Sequence, residues 1–128
     1  MSRRQFAFHV CLATTMIVPL AAAYATPALW LERRQMRIPF SQCPSVAFTA
    51  IQQAGLPEAN KDTEGAGGAT PTARGTIRCV LLPHAGPCNS DGATAVFIAA
   101  SDKSLEDAKD IVARMSKALG DPILFDCN

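Results

Sequence analysis

TIRCVLL at residues 76–82 and ATAVFIA at residues 93–99 are the two runs on which the fold turns. In the first, Ile77, Cys79 and Leu81 alternate with Thr76, Arg78, Val80 and Leu82, the two-residue period that sends successive side chains to opposite faces of a strand. Pro83 to Gly92 separates the runs and ends in Asn89-Ser90-Asp91-Gly92, a turn composition, so the pair reads as a hairpin. If helices cover the face holding Ile77, Cys79 and Leu81, then Val80 and Leu82, with Val96 or Ile98 from the returning strand, lie on the uncovered face. An apolar open sheet face suggests a contact surface for a second copy or another protein. The alternative is that the segment carrying Leu29, Trp30 and Leu31 folds over it.

Outward from the hairpin, helical spacing takes over. Ser101-Asp102-Lys103-Ser104 caps a helix whose stripe is Leu105, Ala108, Ile111, Val112, Met115 and Leu119. Glu106, Asp107 and Asp110 crowd its start, Arg114 and Lys117 come late, and Gly120 stops it. Upstream, Pro44 suits a first helical position, with Ser41 or Cys43 as the cap. Val46, Ala47, Ala50, Ile51 and Ala54 recur at helical spacing until Gly55-Leu56-Pro57 ends the run. Before that helix, Met36, Ile38 and Phe40 alternate with Arg37 and Pro39 as a short strand; after the second helix, Pro122-Ile123-Leu124-Phe125 suits another.

Two stretches look unstructured. Residues 26–35 form a short lead-in expected to be flexible. Residues 58–75, with Gly65, Gly67, Gly68 and Pro71 and no large apolar side chain, cannot bury enough surface to offset ordering entropy, so a mobile loop is expected there. The element order is then strand, helix, strand, strand, helix, strand, that of the ferredoxin-like βαββαβ fold: an α+β domain over residues 36–128, with an antiparallel sheet and two helices on one face.

Residues 1–25 read as a secretory signal: Arg3 and Arg4, an apolar run from Phe6, and Ala23-Tyr24-Ala25 with small residues at the cleavage positions. Ser2-Arg3-Arg4-Gln5-Phe6 resembles the twin-arginine export signal, although Ala7 and Phe8 replace its Leu-Lys. Cleavage after Ala25 or retention as an anchor would both leave the domain outside the cytoplasm, periplasmic or secreted. Losing Arg3 and Arg4 turns twelve Lys plus Arg against eleven Asp plus Glu into a slight acidic excess. That charge leaves no electrostatic footprint for nucleic acid or an anionic membrane.

Of five cysteines, Cys11 lies in the leader, which leaves Cys43, Cys79, Cys88 and Cys127. An even number in a small exported domain reads as two disulfides, with three possible pairings. The ferredoxin-like order puts Cys43 and the Cys88 turn at one end of the sheet, which favours Cys43–Cys88 with Cys79–Cys127.

Three chemistries compete with cross-linking. The first strand-loop-helix, with Cys43 at the helix start, resembles the copper-carrying heavy-metal-associated domains; those hold two cysteines in that loop, and here Ser45 and Val46 stand near the place of the second. Cys79, His84 and Cys88 could form a soft-ligand cluster for copper or zinc, lacking a fourth ligand. Cys43 at a helix N-terminus would favour thiolate, without the second cysteine three residues on that thiol oxidoreductases use. For hydrolysis, His84 lies beside prolines in a turn and no G-x-S-x-G elbow exists, while Glu106 and Asp110 read as solvated helix charges. The expectation is a small exported non-catalytic binding protein without a cofactor: an inhibitor, an immunity-type protein or an envelope accessory, acting on another protein or on itself. The alternative is a periplasmic metal or thiol carrier using Cys43 or Cys79/His84/Cys88.

Overall fold

In the computed structural model, described for residues 26–120, one face of a five-stranded sheet carries two helices. The strands are β1 (Ala28–Pro39), β2 (Asn60–Asp62), β3 (Gly65–Thr70), β4 (Ala73–Leu82) and β5 (Gly92–Ser101); the helices are α1 (Cys43–Gln53) and α2 (Leu105–Leu119). The strand order is β1-β5-β4-β3-β2, and every neighbouring pair is antiparallel. The domain is therefore α+β with an antiparallel sheet and two helices. No helix among the described residues is long and apolar enough to cross a membrane.

The expected hairpin is β4 and β5, with Val96 opposite Arg78 and Phe97 opposite Ile77. On β5 the inward row is Ala93, Ala95, Phe97 and Ala99, all buried, and it alternates strictly with half-buried Thr94, Val96, Ile98 and Ala100. Three alanines around one phenylalanine leave room for α2 to lie close on β5 and β1, and its Ala108, Ile111, Val112, Met115 and Leu119 close the core as the sequence spacing requires.

Two expectations are corrected. The lead-in is not a flexible segment: β1 begins at Ala28 and pairs with β5 through Met36 opposite Ala93. Its sequence hides the strand because Trp30 and Arg34, on the helix side, are amphipathic. The Trp30 ring lies 4.8 Å below Lys109 Nζ, and Arg34 reaches over Phe97 and donates to the Gly120 carbonyl at 2.9 Å. Residues 58–75 are not a mobile loop either, since they contain β2, β3 and the start of β4. The absence of large side chains there is a packing requirement. A Cβ on Gly68 would come within 2.5 Å of Ile51 Cγ2 and 2.8 Å of the Leu56 carbonyl, so α1 and its exit rest directly on β3.

The helix ends follow local rules. On α2, Ser104 Oγ accepts from Asp107 N–H at 3.1 Å, and the Asp107 carboxylate in turn accepts from the buried Ser101 hydroxyl at 2.5 Å. Ser104→Ala is expected to cost about 1 kcal/mol in urea unfolding, with the sheet unchanged. On α1, Pro44 sits in the first turn as expected, but neither Ser41 nor Cys43 is the cap: Gln42 holds that position with no side-chain bond, after a 3-10 turn over Phe40–Gln42. The helix ends at Gly55 (φ +82°), where Gly55 and Leu56 N–H groups return to the Gln52 and Ile51 carbonyls at 3.1 and 3.3 Å. Arg114 of α2 donates to the Ala54 carbonyl, placing a cation at the negative end of α1.

Among the three expected strands that are described, the third (β5) stands between the first (β1) and the second (β4), and β2 and β3 widen the sheet beyond β4. The strand expected at 122–125, the leader and Cys127 lie outside the described residues.

Candidate interaction surface

Strand register fixes which side chains share the helix-free face. Three rows cross the sheet on that side. One holds Arg33, Val96, Arg78, Gly65 and Asp62; the next Leu31, Ile98, Thr76, Gly67 and Asn60; the third Leu29, Ala100, Arg74 and Ala69. Val80, opposite Thr94, and Leu82, opposite Gly92, continue the face toward the turn. The four positions singled out from sequence, Val80, Leu82, Val96 and Ile98, thus share one face. Val80 is 48% exposed and the other three are half-buried.

The alternative in which Leu29, Trp30 and Leu31 fold over this face is overturned. As part of β1 they extend the sheet sideways: Trp30 turns to the helix side, while Leu29 and Leu31 join the open face at 61% and 54% exposure. These two leucines are the surface residues that the reading of the sequence missed. Their signal is the alternation of Leu29, Leu31 and Arg33 against Trp30, Arg34 and Met36, interrupted by Glu32, whose carboxylate accepts from the Trp30 indole N–H at 2.9 Å.

The face is apolar on one half and nearly bare on the other. Large side chains come from β1 and β5, whereas β3 presents Gly65, Gly67 and Ala69. Charge is segregated as well. At the β2 edge, Arg78 bridges Asp62 at 2.9 Å and Glu64 at 2.6 Å. At the opposite edge, Arg33 has no ion pair among the described residues, and neither has Arg74, where two shallow recesses of about 450 and 360 Å³ meet. The Asp62 carboxyl is held below its ordinary value, first by the Glu64 backbone N–H at 2.8 Å and then by the Arg78 guanidinium. Because the folded value lies below the unfolded one, this contribution is present above the usual carboxylate range and fades as pH falls through the lowered value. An NMR titration is expected to find Asp62 still lowered, by less, in Arg78→Ala; an unchanged Asp62 titration would mean that the guanidinium is not its partner.

The cysteines named for the rival chemistries are placed as follows. Cys43 bonds to Cys79, with Cα atoms 6.1 Å apart, not to Cys88 as the sheet-end argument implied. The expected Cys79–Cys127 bond falls with it. The reason is the β2–β3 extension: α1 packs over β3 and β4, so its first residue lies above inward-facing Cys79. Both sulfurs are buried, Cys43 fully, with Met36 Sδ 3.7 Å from Cys43 Sγ. Cys43 is then not a thiolate at a helix start, and Cys79 is not available beside His84. Cys88 is also disulfide-bonded. His84 sits exposed in the turn at φ +56°, its N–H 3.3 Å from the Asp91 carboxylate. Among the described residues no three His, Cys, Asp or Glu side chains converge as a metal site. Asp110 pairs with Arg114 at 2.9 Å, and Glu106 is exposed beside it.

Comparison with protein-family models, with curated proteins and with solved structures returns no match for this chain.

Proposed function

We propose that the chain is a small exported protein that acts by binding another polypeptide through its helix-free sheet face, without catalysis and without a cofactor. One observation carries the reading. Among the described residues five large hydrophobic side chains stand exposed, and of these Leu29, Leu31 and Val80 share this face, which neither α1 nor α2 covers. An apolar patch rimmed by Arg33, Arg74 and Arg78 has the composition of a contact surface.

The Cys43–Cys79 bond accords with an oxidising compartment, and so with residues 1–25 as an export signal and a periplasmic or secreted destination. With Cys11 in the leader, Cys127 is the cysteine left for Cys88. The strand adjacency supports a ferredoxin-like sheet.

The test is a photo-reactive amino acid placed at Leu31, with a control at Lys117 on α2, in cells producing the full chain. Adducts at residue 31 and none at residue 117 are the expected result; equal labelling at both would defeat the reading. Leu31→Arg is expected to change unfolding stability by no more than about 0.5 kcal/mol and to weaken the contact about tenfold or more, read as loss of the competing adduct from a probe at Ile98.

A further inference from the structure

We propose that the occupant of the open face is a second copy of this chain, the two sheets stacked about a two-fold axis parallel to the strands and passing between β5 and β4. The inference rests on the reading of that face as a contact surface and names its partner.

Shape argues for the second copy. Leu29 and Leu31 of β1 form the most exposed apolar ridge on the face, and Gly65, Gly67 and Ala69 of β3 form a strip nearly without side chains, with β5 and β4 lying between. A strand-parallel axis between β5 and β4 lays β1 of one copy on β3 of the other. Rotation about that axis leaves the level along the strands unchanged, so residues of one row meet residues of the same row. Leu31 then comes over Gly67 and Leu29 over Ala69, since each pair already shares a row. Both copies insert their ridge into the partner's strip at once, as an isologous interface requires.

Charge agrees with the same axis. Arg33 shares its row with Gly65, Asp62 and Arg78, so it arrives over Gly65 between the partner's Arg78 and the two carboxylates, Asp62 and Glu64, whose combined charge the single Arg78 leaves half-balanced. An axis perpendicular to the strands would instead stack β1 on β1 and β3 on β3. That arrangement brings the leucines against each other, leaves glycine facing glycine across a gap, and sets like charges together at both edges. Four strands about 4.8 Å apart and six or seven residues long overlap by roughly 400 Å² in flat projection on each copy. Doubled and corrected for side-chain relief, this approaches the ~1,000 Å² at the low end of specific interfaces, so the dimer is expected to be of modest affinity.

The test is sedimentation velocity on the exported full chain over a wide concentration range, with the probe at Leu31 mapped by mass spectrometry. Reversible dimerisation is expected, with the adduct on the peptide carrying Gly67 of a second copy. Gly67→Val fills the strip from a position where a Cβ meets nothing closer than Thr76 Oγ1 at 3.3 Å. It is expected to weaken dimerisation about tenfold or more while the circular dichroism stays native. Arg33→Glu should weaken it as well, and Lys117→Glu should not. A dimer linked through residue 31 to residues 29–33 of its partner overturns this geometry. A chain monomeric at all concentrations, with residue 31 joined to a different protein, overturns self-association and leaves the binding role standing. A monomer without any adduct at residue 31 sinks both.

Discussion

Replacing Cys43 and Cys79 together by alanine is expected to lower the unfolding free energy by about 4 kcal/mol, the chain-entropy value for a closed loop of this length. The bond joins residues 36 apart in sequence, and the segment it closes contains α1, β2 and β3. Without it, the unfolded chain regains the freedom of that whole segment, while α1 keeps its packing on β3, β4 and α2 and the Arg114 bond to the Ala54 carbonyl. For a domain of this size, 4 kcal/mol is a large part of a total that ordinarily lies between about 5 and 15 kcal/mol. Urea unfolding of the double variant against the oxidised parent measures the difference. A loss below about 1 kcal/mol would mean that α1 is held by packing alone and that the bond is incidental.

Gly65→Ala is expected to be nearly as damaging, costing about 3 kcal/mol or more. Gly65 adopts φ +153°, a region essentially reserved for glycine, and a Cβ there would lie 2.1 Å from the Ile77 carbonyl oxygen. That oxygen belongs to the backbone of the central strand β4 and cannot move aside without breaking the ladder. Gly67→Ala, two residues away on the same strand, provides the comparison: its Cβ would meet the Thr76 hydroxyl at 3.3 Å, a contact that a small side-chain shift relieves, and the expected change is within about 0.5 kcal/mol. Thermal unfolding of the two variants side by side reads the contrast. Equal losses would show that the glycines serve β3 only through its general propensity, and that the fit against β4 is unimportant.

The same glycines explain where sequence reasoning stopped short. Strand and helix periods were readable wherever a side chain had to choose between core and solvent: Ile77 and Cys79 against Arg78 and Val80, and the α2 stripe from Ala108 to Leu119. The two helices, the β4–β5 hairpin and the helix-free row of Val80, Leu82, Val96 and Ile98 follow from that. A strand that serves as a floor for a helix carries the opposite signature. Gly68 and Gly75 are paired across β3 and β4 because anything larger would strike Ile51, Leu56 or Met115, and a strip without side chains has no period to read. β1 was hidden differently, since Trp30 and Arg34 bury their apolar parts while keeping polar ends, and so blur its alternation. Both omissions bear on the candidate surface. Missing β1 removed Leu29 and Leu31 from the open face, and missing β3 removed the bare strip opposite them. Missing β3 also misdirected the disulfide, because only the wider sheet draws α1 across β4 to Cys79.

Hydroxyl-radical footprinting of the full chain, diluted until it is monomeric, tests the central claim most directly: that the sheet face left bare by the described residues is open to solvent. Leu29, Leu31 and Val80 are expected to be oxidised readily while Ile77, Phe97 and Met115 are protected. Protection of Leu29 and Leu31 equal to that of Phe97 in the monomer would mean that another part of the chain lies over the face, and the account of it as a contact surface would be contradicted.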